Sequence, residues 1–427
     1  MFSCEIVKRE DKPPSNGFYK PARAKEVASD MVKKEEQGIR AFHVMAKPTG
    51  SRCNLNCDYC FFLKKKYLYP KSDFHMSDKV MESYIRQTIE THHAPTVTIA
   101  WQGGEPTLMG IDFFRRSIEV IRKTARSGVQ VEKTLQTNGV LIDEKWCHFL
   151  HDNDFLVGLS IDGPKHLHDA YRHDKKGNSV FDKVINAARL MQKYDVKFNV
   201  LCTVNAKNSH HPLEVYKFFR DTLKTPYLQF IPIVERKNET GNQEGTRLTE
   251  RSVQPKQYGK FLIEIFDEWI RNDVGSMFIQ FFDGVLASYV RGYSSLCVLS
   301  PRCGEGVALE HNGDVYSCDH FVEPKYLLGN ITKEPLAPLV FSEKQLVFGN
   351  AKWKNLPQYC KKCEFLFTCY GECPKNRVLK TPDGEDGLNW LCVGLKAFFA
   401  HSKKHMELLT RLLWSGYDAS EIMKILT

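Results

Sequence analysis

The sequence has no stretch of about 18 apolar residues, so nothing in it is built to cross a bilayer as a helix. Its opening, MFSCEIVKREDKPPS, lacks the apolar run of a secretory signal, and a cytoplasmic location is expected. Long basic blocks are missing too. Lys64-Lys65-Lys66 is too short a run to argue for nucleic acid. The net charge of +9 reads as a solvated basic surface, with attraction for anionic ligands or an acidic partner as the competing reading. No internal repeat or low-complexity stretch stands out. What remains, 42% hydrophobic and 26% charged residues over 427 positions, describes a soluble globular chain long enough for two or three domains.

Cysteine is the residue the chain does have, with fourteen copies. In a protein without a leader the thiols stay reduced, so metal ligation explains them better than a disulfide framework. Their placement follows the organisation of the chain. Residues 1–38 are polar and Lys/Glu-rich, an extension with one expected helix at 22–36. Apolar, β-branched runs then recur at 41–46, 97–101, 131–136, 156–161, 198–204 and 228–233, with helical patterns at 78–91, 112–124, 143–151, 182–194 and 212–223 between them. Strands alternating with helices imply parallel strands and crossover helices, hence an incomplete α/β barrel or a doubly wound sheet. Either architecture places its ligand site at the C-terminal ends of the strands. Residues 251–296 read as a helical linker, with Phe261, Ile265 and Trp269 on one face. Residues 297–395 hold eight of the cysteines among short runs and turns, and metal centres would have to hold such a segment together. Residues 396–427 read as one or two helices.

Directly after the first strand, Cys53, Cys57 and Cys60 form CNLNCDYC. Three thiolates on one loop can hold three irons of a four-iron, four-sulfur cluster and leave the fourth iron open to a substrate. A zinc site short of one ligand is the rival reading. The other strand ends carry Gly103-Gly104-Glu105-Pro106, Gln136-Thr137-Asn138-Gly139 and Ser160-Ile161-Asp162-Gly163. The later cysteines are Cys297, Cys303, Cys318, Cys360, Cys363, Cys369, Cys373 and Cys392, enough for two fully ligated four-iron clusters or for structural zinc sites. Spacing alone does not pair them. Cys4, Cys147 and Cys202 read as inert thiols. Asp319 follows Cys318 after an Asn312-Gly313 hairpin turn, which would set it beside a metal centre facing the barrel mouth; an ordinary surface aspartate is the competing reading, and His320 is equally ambiguous.

The cysteine loop followed by GGEP resembles the radical S-adenosylmethionine superfamily, and the later cysteines resemble its SPASM extension. From about Phe42 to Arg377 the chain is similar to the anaerobic sulfatase-maturating enzymes, through AFHVMAKPTGSRCNLNCDYC, WQGGEPTL, LQTNGVL, GLSIDGP, LQFIPIVER, EHNGDVYSCDHFV and C-x3-CPKNR. The resemblance implies a partial (β/α)6 barrel over residues 39–250, a small cysteine-rich iron–sulfur domain over 297–395 and C-terminal helices. It implies S-adenosylmethionine and three 4Fe-4S clusters. The first is held by Cys53, Cys57 and Cys60, the second by Cys297, Cys303, Cys318 and Cys373, the third by Cys360, Cys363, Cys369 and Cys392. Tyr59, Gly104, Ser160, Arg172 and Val234 match family contacts to S-adenosylmethionine, and Asp319 matches the family's proton acceptor. Phe62 stands where relatives often have Tyr. The implied reaction oxidises a Cys or Ser of an unfolded or nascent sulfatase to Cα-formylglycine (3-oxoalanine), with flavodoxin or ferredoxin as electron donor and no nucleic acid or membrane involved. Another peptide-modifying SPASM enzyme, such as a thioether-forming maturase, and a zinc-binding interaction module are the competing readings.

Overall fold

The computed structural model describes residues 42–92 and 94–426. The helix expected at 22–36 and Cys4 lie outside the described residues. Twelve strands occur among those described: β1 (His43–Lys47), β2 (Thr96–Trp101), β3 (Gln130–Thr137), β4 (Phe155–Ser160), β5 (Phe198–Val204), β6 (Tyr227–Pro232), β7 (Phe278–Ile279), β8 (Gly306–Glu310), β9 (Asp314–Tyr316), β10 (Leu327–Asn330), β11 (Arg377–Lys380) and β12 (Asp386–Asn389). The first ten form one sheet in the order β10-β9-β8-β1-β2-β3-β4-β5-β6-β7. All neighbours from β1 to β7 are parallel, giving the expected partial barrel.

Parallel strands need crossovers, and amphipathic helices supply them: α1 (Asp78–Thr91), α2 (Ile111–Thr124), α3 (Glu144–Asp152), α4 (Phe181–Lys193) and α5 (Pro212–Lys217). In α2 the buried residues Phe113, Phe114, Ser117, Ile118 and Ile121 recur at helical spacing, and the rings of Phe113 and Phe114 meet the Trp101 ring of β2 edge-on. Helix starts are written locally: Ser77 accepts a hydrogen bond from the Val80 N–H at α1, and Asp143 from the Trp146 N–H at α3.

Two features depart from the sequence reading. The stretch expected to be a helical linker contributes α6 (Pro255–Asn272), α7 (Gln280–Arg291) and also β7, a two-residue strand too short to leave a periodic signal. The boundary expected at 395/396 falls inside one continuous helix, α9 (Cys392–Trp414), which follows α8 (Glu343–Lys354). That helix is clamped on α6 through two glycines: a Cβ on Gly394 would stand 2.0 Å from the Pro255 carbonyl oxygen. Phe266, Phe282 and Phe398 seal the same contact. A short helix, Glu421–Leu426, completes the described chain.

The cysteine-rich segment is not detached from the barrel. Its first strand, β8, pairs parallel with β1 from His43↔Gly306 to Lys47↔Glu310, and β9 and β10 extend the sheet antiparallel. The ends of β1 and β8 therefore stand side by side, which brings the loop of Cys53 and the stretch around Cys318 to one edge.

Candidate active site

At that edge the loop after β1 turns back on itself and is threaded by the loop after β2. The Gly104 N–H donates to the Gly50 carbonyl at 2.8 Å and the Glu105 N–H to the Arg52 carbonyl at 3.0 Å. A Cβ on Gly104 would lie 2.1 Å from the Arg52 oxygen, so only glycine lets the two backbones meet. The buried Glu105 carboxylate accepts from the Thr107 N–H and hydroxyl, the Thr137 hydroxyl and the Asn138 N–H, tying the ends of β2 and β3 together. Asn138 in turn donates to Asn54 at 2.7 Å and lies 3.7 Å from the Cys53 sulfur.

Cys53, Cys57 and Cys60 are electrostatic neighbours on this loop. The loop is pinned by the Asn56 N–H on the His173 carbonyl and the Asp58 N–H on the Tyr171 carbonyl. Burial pushes the Cys53 and Cys57 thiols up to about 12. Thiolates in such a place need a bound cation, and an all-sulfur donor set suits iron–sulfur chemistry or zinc. The Leu55 N–H already points at the Cys53 sulfur at 3.4 Å, the bond a thiolate ligand accepts. The residues therefore fit a cluster.

Below this loop lies a buried ion pair. Arg172 donates through Nε and Nη2 to Asp162 at 2.9 and 3.3 Å. Asp162 also accepts from the Tyr59 hydroxyl and the Thr203 N–H. Burial raises the Asp162 carboxyl, but the Arg172 guanidinium outweighs it and holds the group below the usual carboxylate range. Asp162 thus fixes Tyr59 and Arg172 at once, and the Arg172 guanidinium lies over the Tyr59 ring at 5.5 Å. The Tyr59 hydroxyl is committed to Asp162. Ser160 accepts from Gln136 at 3.0 Å. Val234 is buried, and its carbonyl accepts from Lys375 at 3.4 Å, a contact between barrel and cysteine-rich segment.

Asp319 is not a surface aspartate. Its carboxylate stands 2.7 Å from the ammonium of Lys47, which is fully buried, and Glu310 stands 3.4 Å from the same ammonium. Burial opposes the charge on Lys47, but the two carboxylates outweigh it and hold the ammonium above its usual range. The Phe62 ring covers Lys47 at 4.5 Å. His320 is neutral, pushed down to about 3 chiefly by burial.

The eight later cysteines gather into two groups. Cys318 and Cys373 neighbour each other and Cys303, and Cys373 also neighbours Cys297. Cys369 neighbours Cys360, Cys363 and Cys392. Cys147 and Cys202 are buried in the core. Cys363 lines an open cavity of about 390 Å³ with Tyr359, Lys362 and Lys396.

Comparison with known proteins places this geometry. A family model described as "Radical SAM superfamily" matches residues 48–219, and one described as "Iron-sulfur cluster-binding domain" matches residues 297–364. A serine-type anaerobic sulfatase-maturating enzyme of Bacteroides thetaiotaomicron is 42% identical over 91% of this chain and 95% of its own length. The chain belongs to the anaerobic sulfatase-maturating enzymes. A cysteine-type anaerobic sulfatase-maturating enzyme of Clostridium perfringens is 37% identical over 84% of this chain and 95% of its own. The solved structure "Native anSMEcpe with bound AdoMet and Cp18Cys peptide" superposes with a TM-score of 0.78 at 36% identity, covering 87% of this chain and 99% of that one. As a sulfatase-maturating enzyme the chain is a radical S-adenosylmethionine oxidoreductase that uses 4Fe-4S clusters, and the zinc-module and thioether-maturase readings fall away. Among the described residues no helix is long and apolar enough to cross a membrane.

Several residues of the site carried no assigned role in the sequence. Asp162 stands inside the quoted SIDG stretch and Glu105 inside GGEP, but nothing local says that their carboxylates are buried. Lys47 had the clearest signal: a lysine at the end of a strand whose residues point into the core. Glu310 becomes its partner only through the β1–β8 register.

Proposed function

We propose that this enzyme oxidises a cysteine or serine of a sulfatase polypeptide to Cα-formylglycine with Asp319 as the proton acceptor. Residues 39–250 carry the radical chemistry and residues 297–395 the onward electron path. Cys53, Cys57 and Cys60 hold the open cluster; Cys297, Cys303, Cys318 and Cys373 hold the first closed cluster; Cys360, Cys363, Cys369 and Cys392 hold the second. Tyr59, Gly104, Ser160, Arg172 and Val234 form the S-adenosylmethionine cradle. One observation carries the reading. Lys47 ends the strand that leads six residues later to Cys53, and its ammonium pairs with the aspartate next to Cys318. The radical loop and the base thus share one strand end.

When bound, the cluster held by Cys53, Cys57 and Cys60 and S-adenosylmethionine would supply a radical for hydrogen-atom removal at the substrate Cβ. The chain's own groups do the rest. Asp319 accepts the proton of the thiol or hydroxyl, and the cluster that Cys297, Cys303, Cys318 and Cys373 would hold nearby would supply the acceptor for one electron. Loss of a hydrogen atom, a proton and an electron converts a serine side chain to the aldehyde. From cysteine it gives the C=S analogue, which water converts to the aldehyde with release of sulfide. A thiol, with a pKa of about 8.5, ionises readily, whereas a serine hydroxyl requires the base to act as the carbon radical is oxidised. Lys47 holds Asp319 in place through their 2.7 Å ion pair, and the Phe62 ring covers the Lys47 ammonium.

The reduced enzyme works in the cytoplasm with a flavodoxin or ferredoxin as donor, the reading supported by the reduced thiols and the family's needs. The test is to incubate oxygen-free reduced enzyme with S-adenosylmethionine and a sulfatase-motif peptide, then weigh the peptide. Replacement of CH2SH or CH2OH by CHO is expected. An unmodified peptide alongside released 5′-deoxyadenosine would exclude the proposed reaction on that substrate.

A further inference from the structure

Cys369 and Cys373 are four residues apart, yet each has a different group of thiols around it. The chain between them achieves the separation with three consecutive left-handed residues: Tyr370 at φ 44°, Gly371 at 70° and Glu372 at 49°. Two of the three bear side chains that avoid this region, so the turn must be held from outside. On one side the Glu372 carboxylate accepts from Asn376 and Asn389, both at 2.7 Å. On the other, Arg377 donates to the Tyr370 carbonyl at 2.9 Å, the Gly371 carbonyl at 3.2 Å and the Lys352 carbonyl at 2.7 Å. A Cβ on Gly371 would strike the guanidinium at 2.8 Å, so the cation sits hard against the turn.

Lys375 neighbours Cys373. Lys352 neighbours Cys297 and Cys303, and Lys396 neighbours Cys392. Arg377 has Cys303 and Cys373 of the first group and Cys360 and Cys369 of the second around it. We propose that Arg377 is a counter-cation shared by the two auxiliary clusters, a positioning residue that sets both reduction potentials together. This rests on the ligand grouping proposed above.

A thiolate-ligated cluster gains negative charge on reduction, so a fixed cation beside it favours the reduced form and raises its potential. A guanidinium is suited to the place because it stays charged when buried, and its fork holds three carbonyls with thiols of both groups in its electrostatic surroundings. In the reaction proposed above the electron from substrate enters near Asp319, beside the first group, and the second group is the next acceptor along the chain's own thiols. A cation common to both keeps the step between them small, where one seated on the first group alone would trap the electron there.

The experiment is an EPR-monitored redox titration of the reconstituted holoenzyme, compared with Arg377→Met and Arg377→Lys. Iron content is measured first on the unsubstituted protein: less than three clusters' worth would overturn the ligand grouping itself, separately from the role of Arg377. With all clusters present, Arg377→Met is expected to move both auxiliary potentials to more negative values. The centre whose signal responds to S-adenosylmethionine should stay put, and Arg377→Lys should hold both near their starting values. A shift in one auxiliary centre only, or in neither, overturns the proposal. If Arg377→Met does not load its clusters, Arg377→Lys decides. Lysine keeps the charge but not the three-carbonyl fork, so loading with unmoved potentials supports the shared cation, and failure to load shows a purely structural clamp.

Discussion

The two cysteine regions of this enzyme are built in opposite ways. Cys53, Cys57 and Cys60 lie within eight residues on a single loop, and the fold's task there is to pin the loop and leave room: glycine at 104, the locked Glu105, the paired Asp162 and Arg172. The eight later cysteines span 297 to 392, and the fold's task is to gather them, through a strained turn, a strand added to the barrel and a helix clamped by Gly394. Three ligands on a local loop leave an iron open for chemistry. In the ligation proposed above, four ligands drawn from distant segments would close each later centre and suit it to carrying electrons.

That contrast can be broken by substitution. Cys57→Ala is expected to abolish formation of 5′-deoxyadenosine while iron content falls by only about a third, the share of one cluster among three. Cys363→Ser should do the reverse, sparing adenosine formation but suppressing peptide oxidation; equal loss of both activities in either variant would erase the distinction. Next in size, Asp319→Asn should keep iron and S-adenosylmethionine cleavage while product formation drops about 10²–10⁴-fold, the usual worth of a general base. Full turnover in that variant would remove Asp319 from the mechanism. Asp162→Ala leaves Arg172 buried without its partner and should destabilise the protein by about 3–5 kcal/mol, read from denaturant unfolding.

The smallest effect is on pH. His168 is pushed down to about 3, chiefly by burial, and its Nδ1 accepts from the Asp162 N–H. The unfolded chain binds a proton at this residue near pH 6.5 and the folded protein does not until near 3, so stability is full above about 6.5 and falls as pH drops through that window. The Asp162 carboxyl is held below its ordinary value, so its contribution is lost only as pH falls below about 4. Unfolding midpoints across pH 4–7 check the first effect, and His168→Gln should flatten the slope.

The same contrast explains how much the sequence made legible. The first cysteine loop and the motifs at strand ends are local patterns, and the six parallel strands announce themselves through runs such as TVTIAW and FNVLCTV. The grouping of the later thiols is a tertiary fact: Cys369 and Cys373 part company only because three left-handed residues turn the chain between them. The Lys47–Asp319–Glu310 cluster escaped for a related reason, since it depends on β8 joining β1 across more than 250 residues. Strand β7 is too short to show a period, and the continuity of α9 past residue 395 is set by its packing on α6.

The most direct test of the open iron is electron–nuclear double resonance of the reduced enzyme with S-adenosylmethionine labelled at its amino nitrogen and carboxylate oxygen. The account predicts couplings of both labels to one iron in the intact protein and their disappearance in Cys57→Ala, with the auxiliary signals preserved. Absence of coupling in the intact enzyme, or coupling that survives loss of the loop thiol, would contradict it.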